Sequence, residues 1–301
     1  MRLQSTESCL IVTDHKRKQI GETLYEVANE RADDAAIIRY PPGDQHGSEP
    51  PAAVAAAMRN ADVVLAPTTK SLTHTLARSK ATEAGVRVAT LPGITEEVFV
   101  TGLDANYTDI KQHCKDIYQQ VSGAKNVRVQ TDLGTDIVFR PGEREWRQDT
   151  GIVHDPGAMS NLPAGEVFVS PETADGTFVV DGTMMPHGLL EDGHTLEFEV
   201  DDGYVTDISD DDVRAEIEAA ADKVGQAAYN LAELGIGTNV GVTELVGSVL
   251  LDEKAAGTVH IAIGDDHAIG GDTDAPIHLD GVLRNPRVSV DGERIDLPSG
   301  V

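Results

Sequence analysis

The sequence predicts an α/β protein in two parts: an N-terminal three-layer domain built on a parallel sheet, and a C-terminal α+β domain. Three observations carry the fold. The chain has 301 residues, and at roughly 100–200 residues per domain that length suggests two domains. Its first hundred residues alternate short apolar runs with helical stretches, the pattern of βαβ units. Beyond about residue 126 the runs shorten, alternate and are punctuated by Gly and Asp, as in antiparallel strands with tight turns. The expected division is a Rossmann-like α/β domain over 1–125 and an α+β domain over 126–301.

The elements follow in order. Strands are expected at 9–12, 35–38, 63–66 and 86–91, with helices at 18–32, 50–60 and 73–84 between them. Prolines opening the second helix suit a first turn, and Gly85 ends the third. No GxGxxG follows the first strand, so the usual dinucleotide fingerprint is absent. A helix over 104–123 places Ile110, Cys114, Ile117 and Val121 on one stripe. Short strands are read at 127–129, 137–139, 167–169, 178–180 and 196–198. The helix over 210–229 opens on Asp210, Asp211 and Asp212, at the positive end of its dipole. Further strands are read at 231–236, 258–263 and 288–295, the last with an Asp291-Gly292 hairpin signal.

Composition excludes several function classes. The chain carries 51 acidic residues against 24 basic ones, for a formal charge of -27. Hydrophobic residues make up 40%, enough for real cores, which excludes disorder. The negative surface excludes a nucleic-acid backbone as partner. No apolar run approaches the ~20 residues that span a bilayer, so no membrane is expected, and no signal-peptide stretch opens the chain. With only Cys9 and Cys114 a disulfide framework is excluded, and a reducing, cytoplasmic compartment is expected. Both thiols fall on apolar stretches and read as buried structural residues. Ser170 and Ser248 lack the context of a nucleophile elbow. With 30 Asp, 21 Glu, 15 Arg and only 9 Lys, the charge is far beyond the magnitude of ~2–8 usual for small domains. Such a surface is expected of a halophilic protein, kept soluble in salt that screens its repulsion.

The densest chemical signal is GTVHIAIGDDHAIGGDTDAPIHLDG, with His260, His267, His278 and Asp280. His278 and Asp280 are two apart and share a strand face. Two His and a carboxylate can hold a divalent metal, although this spacing equally fits solvent-facing histidines on an acidic protein. Glu166 and Glu233 each stand alone in apolar segments, where an unpaired buried carboxylate costs several kcal/mol. A metal, an arginine or a solvent-facing position would each remove that cost. His267 reads as a further ligand, a proton shuttle or a plain loop histidine. Asp265 and Asp266 read as an amine-binding acid or as surface decoration, and 184–187 (Met-Met-Pro-His) as pocket lining or a turn.

Glu166 in NLPAGEVFVSPE, Glu233 in NLAELGIGTN, His260 in DEKAAGTVHIAIGD, and His278 with Asp280 in IHLDG together resemble the aminopeptidase T (leucyl aminopeptidase-like) family of metallopeptidases. Gly134-Thr135-Asp136 and 181–184 (DGTM) also resemble it, and the likeness covers about residues 104–301. The resemblance implies Glu166, Glu233, His260, His278 and Asp280 as metal ligands, one or two Zn, Co or Mn ions, and a homodimer. The activity it implies is release of N-terminal residues from small peptides by a metal-activated water. Glu166 would bridge two ions, and with His267 it would serve catalysis. Two features depart from the peptidases: His267 stands where they have a tyrosine, and the chain is shorter between its histidine segments. A related branch resembles the 2,5-dihydroxypyridine dioxygenases, in which one Fe(II) is held by two His and one Asp. There the same His260, His278 and Asp280 would act on a hydroxylated ring, with two anionic glutamates beside the iron as the feature against it. A third expectation is a binding protein that kept the fold and lost catalysis.

Overall fold

The structure, a computed structural model, describes residues 1–300. The first apolar run forms β1 (Ser8–Asp14), and the chain then alternates α1 (Lys18–Arg31), β2 (Asp34–Tyr40), α2 (Ala52–Arg59), β3 (Val63–Thr68), α3 (Leu76–Glu83), β4 (Arg87–Pro92) and α4 (Glu96–Thr101). The strands pair in parallel in the order β2-β1-β3-β4. Alternate residues of β1 feed two separate cores. Leu10 and Val12 join Val54, Met58, Ala77 and Ala81 of α2 and α3. Cys9 and Ile11 pack with Ala28 of α1. A sheet covered by helices on both faces is the three-layer arrangement that near-continuous apolar strands require. α3 begins three residues later than expected, because Thr75 is its N-cap and accepts a hydrogen bond from the Arg78 amide at 3.2 Å.

The remaining elements are α5 (Tyr107–Val121), β5 (Val127–Gln130), β6 (Asp136–Arg140), β7 (Arg147–Asp149), β8 (Met159–Asn161), β9 (Glu166–Val169), β10 (Thr173–Val180), β11 (Thr183–Met184), β12 (Gly188–Leu189), β13 (Leu196–Asp201), β14 (Tyr204–Ile208), α6 (Asp211–Val224), β15 (Leu231–Gly237), α7 (Val249–Asp252), β16 (Val259–Gly264), β17 (His278–Leu283), β18 (Arg287–Val290) and β19 (Glu293–Arg294). Apart from β8 the strands make two seven-stranded sheets, β14-β13-β10-β6-β5-β18-β19 and β12-β11-β17-β16-β15-β9-β7. One core joins them, in which Phe139, Phe178 and Phe198 meet Val167, Ile236 and Ile261.

The chain divides into Met1–Asp104 with Gly151–Ala164, and Ala105–Thr150 with the chain from Gly165 onward. This differs from a single boundary at 125 in two places. The predicted stripe of α5 is fully buried in the same core as β5 and β9, so the helix belongs to the second unit. β8 adds a fifth parallel strand beside β4, pairing Val88 with Met159 and Thr90 with Asn161. Three residues are too few to show any periodicity, which is why the excursion is invisible in the sequence. Among the described residues, no helix is long and apolar enough to cross a membrane.

Candidate metal centre

The site is one face of a sheet. β9, β15, β16 and β17 lie side by side and antiparallel, and their register sets Glu166 opposite Gly237, Gly235 opposite His260, Ala262 opposite both Glu233 and Asp280, and Gly264 opposite His278. Side chains alternate along a strand, so Glu166, Glu233, His260, His278 and Asp280 share one face. The opposite face carries Val167, Val169, Leu234, Ile236, Ile261, Ile263 and Leu279, all in the core. The same strands therefore hold the core with one set of residues and the chemistry with the other. Between the polar side chains the face is floored by Gly235, Gly237, Ala262 and Gly264, so it is a hollow. Gly235 is needed for space, since a Cβ there would lie 2.0 Å from both Cε1 and Nε2 of His260.

The polar atoms converge closely. His260 Nε2 lies 3.2 Å from Glu233 Oε1 and 3.4 Å from Glu166 Oε2. His278 Nε2 lies 3.6 Å from Glu233 Oε2 and 3.4 Å from Asp280 Oδ1. Its other nitrogen, Nδ1, is 2.7 Å from the Asp265 carbonyl. A proton on Nδ1 donated there leaves the Nε2 lone pair aimed at the hollow, the outer-shell arrangement common to histidine ligands. Two groups of donors lie within ligand reach, Glu166–Glu233–His260 and Glu233–His278–Asp280. Glu233 is shared between them, so if two ions are held it is Glu233, not Glu166, that stands at the bridging position. Glu166 Oε2 and Asp280 Oδ1 are buried without a hydrogen-bond partner. Orphaned buried carboxylate oxygens are costly, and a cation held by the donor group to which each belongs would remove that cost, so the donor set fits a divalent metal.

A residue that the sequence reading passed over completes the site. Lys254, in the turn after α7, is 3% exposed, and its Nζ lies 2.6 Å from both Glu166 Oε1 and Glu253 Oε1. The partner that Glu166 needs is thus in part a lysine. The signal was present in Asp252-Glu253-Lys254, but charged triplets on an acidic chain read as surface. Burial opposes the ammonium, yet Glu166 and Glu253 hold it charged, well above the usual lysine range. Burial pushes the Glu166 carboxyl up to about 8 against the pull of Lys254 and His260. His260 is lowered by burial, but its hydrogen bond to Glu233 and the charges of Glu166 and Glu233 win, raising it to about 9. Burial is likewise outweighed at His278, which Asp280 raises, and at Asp280, which His278 lowers. Four carboxylates with one lysine leave the ion-free hollow short of positive charge, and protons on the imidazoles supply it.

Other expected residues are placed elsewhere. His267 is exposed in a short turn and belongs to neither donor group. Asp265 and Asp266 are neither surface decoration nor an open acid. Asp266 is buried and accepts from Ser170 Oγ, Asn230 Nδ2 and the Thr273 amide, at 2.9, 3.1 and 2.7 Å. The Asp265 carboxylate accepts from the Ala275 amide at 3.2 Å. Both pin the loop that presents His278. Of the Met-Met-Pro-His stretch, Met184 is core, Met185 is exposed, and His187 is bonded to Asp210 at 3.0 Å, so it forms a turn between β11 and β12. Cys9 and Cys114 are buried, and burial pushes their thiols up to about 11 and about 12.

The profile of the NicX family, described as 2,5-dihydroxypyridine 5,6-dioxygenase, matches residues 3–297. The 2,5-dihydroxypyridine 5,6-dioxygenase of Pseudomonas putida is 24% identical over 193 residues, which is 59% of this chain and 54% of that protein. The chain thus spans about half the length of that curated relative. The structure of the 2,5-dihydroxypyridine dioxygenase from Pseudomonas putida KT2440 superposes with a TM-score of 0.82 at 19% identity, covering 100% of this chain and 93% of that one. Wild-type AmpT from Thermus thermophilus superposes with a TM-score of 0.68 at 17% identity, covering 97% of this chain and 93% of that one. At these identities the superpositions show a shared fold.

Proposed function

Because the chain belongs to the 2,5-dihydroxypyridine 5,6-dioxygenase family, we propose that it is a metal-dependent ring-cleaving dioxygenase acting on a hydroxylated aromatic ring, and not the peptidase that its motifs first suggest. The observation that carries this is that His260, His278 and Asp280 share one sheet face and are linked through Glu233, which stands in a donor group with each histidine, while Asp280 Oδ1 is buried and unbonded. Two histidines and a carboxylate that leave open positions suit Fe(II) and its substrates. The two glutamates remain the feature against it, since Lys254 pairs with Glu166 but is shared with Glu253, a third carboxylate of the site.

Fe(II) bound there would supply the redox chemistry that lets dioxygen react with a closed-shell ring. The chain's own residues do the rest. His278, about one-third exposed, marks the mouth of the hollow, and the Asp265 carbonyl fixes its ring. Glu166 Oε2, unbonded and facing His260, is placed to accept a proton from a ring hydroxyl. A homodimer is part of the same proposal, as in the resemblance that first suggested it.

The test is anaerobic loading with Fe(II) in molar salt, followed by addition of 2,5-dihydroxypyridine and oxygen. Uptake of one O₂ per ring cleaved is expected, with no release of p-nitroaniline from amino-acid p-nitroanilides under Zn, Co or Mn. Turnover of the anilides, with no oxygen uptake on any dihydroxylated ring, would reverse the assignment.

A further inference from the structure

The two donor groups that share Glu233 have the outline of a site for two ions, yet one carboxylate oxygen of Glu166 is already taken by a cation. Lys254 Nζ sits 2.6 Å from Glu166 Oε1 and 2.6 Å from Glu253 Oε1. It is buried and anchored: the residue is 3% exposed, its amide donates to the Leu251 carbonyl at 3.0 Å, and its carbonyl accepts from the Asn239 amide at 2.8 Å. From these contacts we infer that Lys254 sets the metal stoichiometry, its ammonium standing in for a second divalent ion and confining the centre to one. The inference rests on the metal-site reading above and deepens it.

Position supports it. Lys254 offsets one of the negative charges that Glu166, Glu253 and the neighbouring Asp149 bring to this corner when ionised. A second ion on the Glu166–Glu233–His260 group would have to share Glu166 with a buried and anchored ammonium, and two cations on one buried carboxylate repel strongly in a weakly screened interior. The lysine is therefore a specificity-determining residue. It selects single-ion chemistry from a set of side chains that otherwise resembles a two-ion hydrolytic centre.

The experiment uses the full chain in molar salt, with Mn(II) as probe. Ions bound per chain are counted by equilibrium dialysis with elemental analysis, and by EPR, where two adjacent Mn(II) ions show a coupled spectrum and a single ion does not. Wild type is expected to hold one ion. Lys254→Met, similar in volume and uncharged, is expected to hold two, with the coupled signal. Lys254→Arg, which keeps the charge, is expected to return to one. Two ions on wild type, or one ion on a folded Lys254→Met, overturns the inference while leaving the metal site standing. A wild-type chain that binds no ion overturns the metal-site reading itself, and the inference with it. If Lys254→Met fails to fold without metal, its folding on addition of Mn(II) with two ions bound supports the inference, and folding with one ion bound overturns it.

Discussion

Gly235 is the residue whose alteration should be most informative, because its only contribution to the site is the absence of a side chain. It sits directly opposite His260 in the β15–β16 ladder. A Cβ added there meets Cε1 and Nε2 of the ring at 2.0 Å and Cδ2 at 2.8 Å. Since carbon contacts settle near 3.5 Å or more, Gly235→Ala must push the imidazole away by more than about 1 Å. That displacement breaks the 3.2 Å hydrogen bond to Glu233 and takes Nε2 off the hollow. Overpacking costs about 1–3 kcal/mol, and a lost hydrogen bond to a charged group about 1.5–3 kcal/mol. Together they predict a destabilisation of about 3–5 kcal/mol, measured as urea or thermal unfolding in salt. Losing one ligand should weaken ion binding at least as much as losing an outer-shell partner does, by about 100-fold, measured by titration calorimetry. In a His260→Ala background the Cβ has room, and the same glycine substitution should cost well under half as much stability. If the cost is equal in both backgrounds, or if Gly235→Ala binds the ion as tightly as wild type, the steric account is refuted.

Other outcomes are expected. His278→Ala should weaken ion binding by about 100-fold or more, since it removes a ligand, whereas His267→Ala should change it less than about twofold. Equal losses would bring His267 into the centre. Mn(II) affinity should climb with pH, because His260 is raised to about 9 by Glu233 and Glu166 against burial, so below that pH the ion must expel a proton. The slope is about tenfold per pH unit for each proton released, and an affinity that is flat between pH 6 and 8 would show the rings already neutral. Cys9 and Cys114, their thiols pushed up to about 11 and about 12 by burial, should resist Ellman's reagent at pH 8 in native protein and react in denaturant. Rapid labelling of either would mean that its surroundings open.

Much of the first unit is legible in the sequence because β1, β3 and β4 are buried on both faces and read as near-continuous apolar runs, while the half-exposed edge strand β2 still shows its apolar centre. The candidate donor set was legible for the opposite reason, since Glu166, Glu233 and His260 interrupt otherwise uncharged strands and so announce themselves. What stayed hidden depends on distance in three dimensions. β8 is three residues long and pairs with a strand far away in sequence. Lys254 resembles any charged residue of a turn until the fold carries it against Glu166, 88 positions away. Asp266 looked like one more acid on an acidic surface, yet it is buried under three hydrogen bonds. The choice between hydrolase and oxygenase was equally hidden, since both chemistries use the same imidazoles and carboxylates. The family match supports the oxygenase.

The alternation along β15, β16 and β17 has a consequence for how such a protein can change over time. Each of these strands is read in two interleaved frames, one serving folding and the other reactivity. A single-residue insertion or deletion exchanges the frames, sending a carboxylate or imidazole into the core and a branched aliphatic residue into the hollow. Length variants within these strands are therefore removed before any new activity can be tried. Substitution on the outer frame leaves the inner one untouched, so this scaffold can acquire a new reaction by exchanging one side chain at a time.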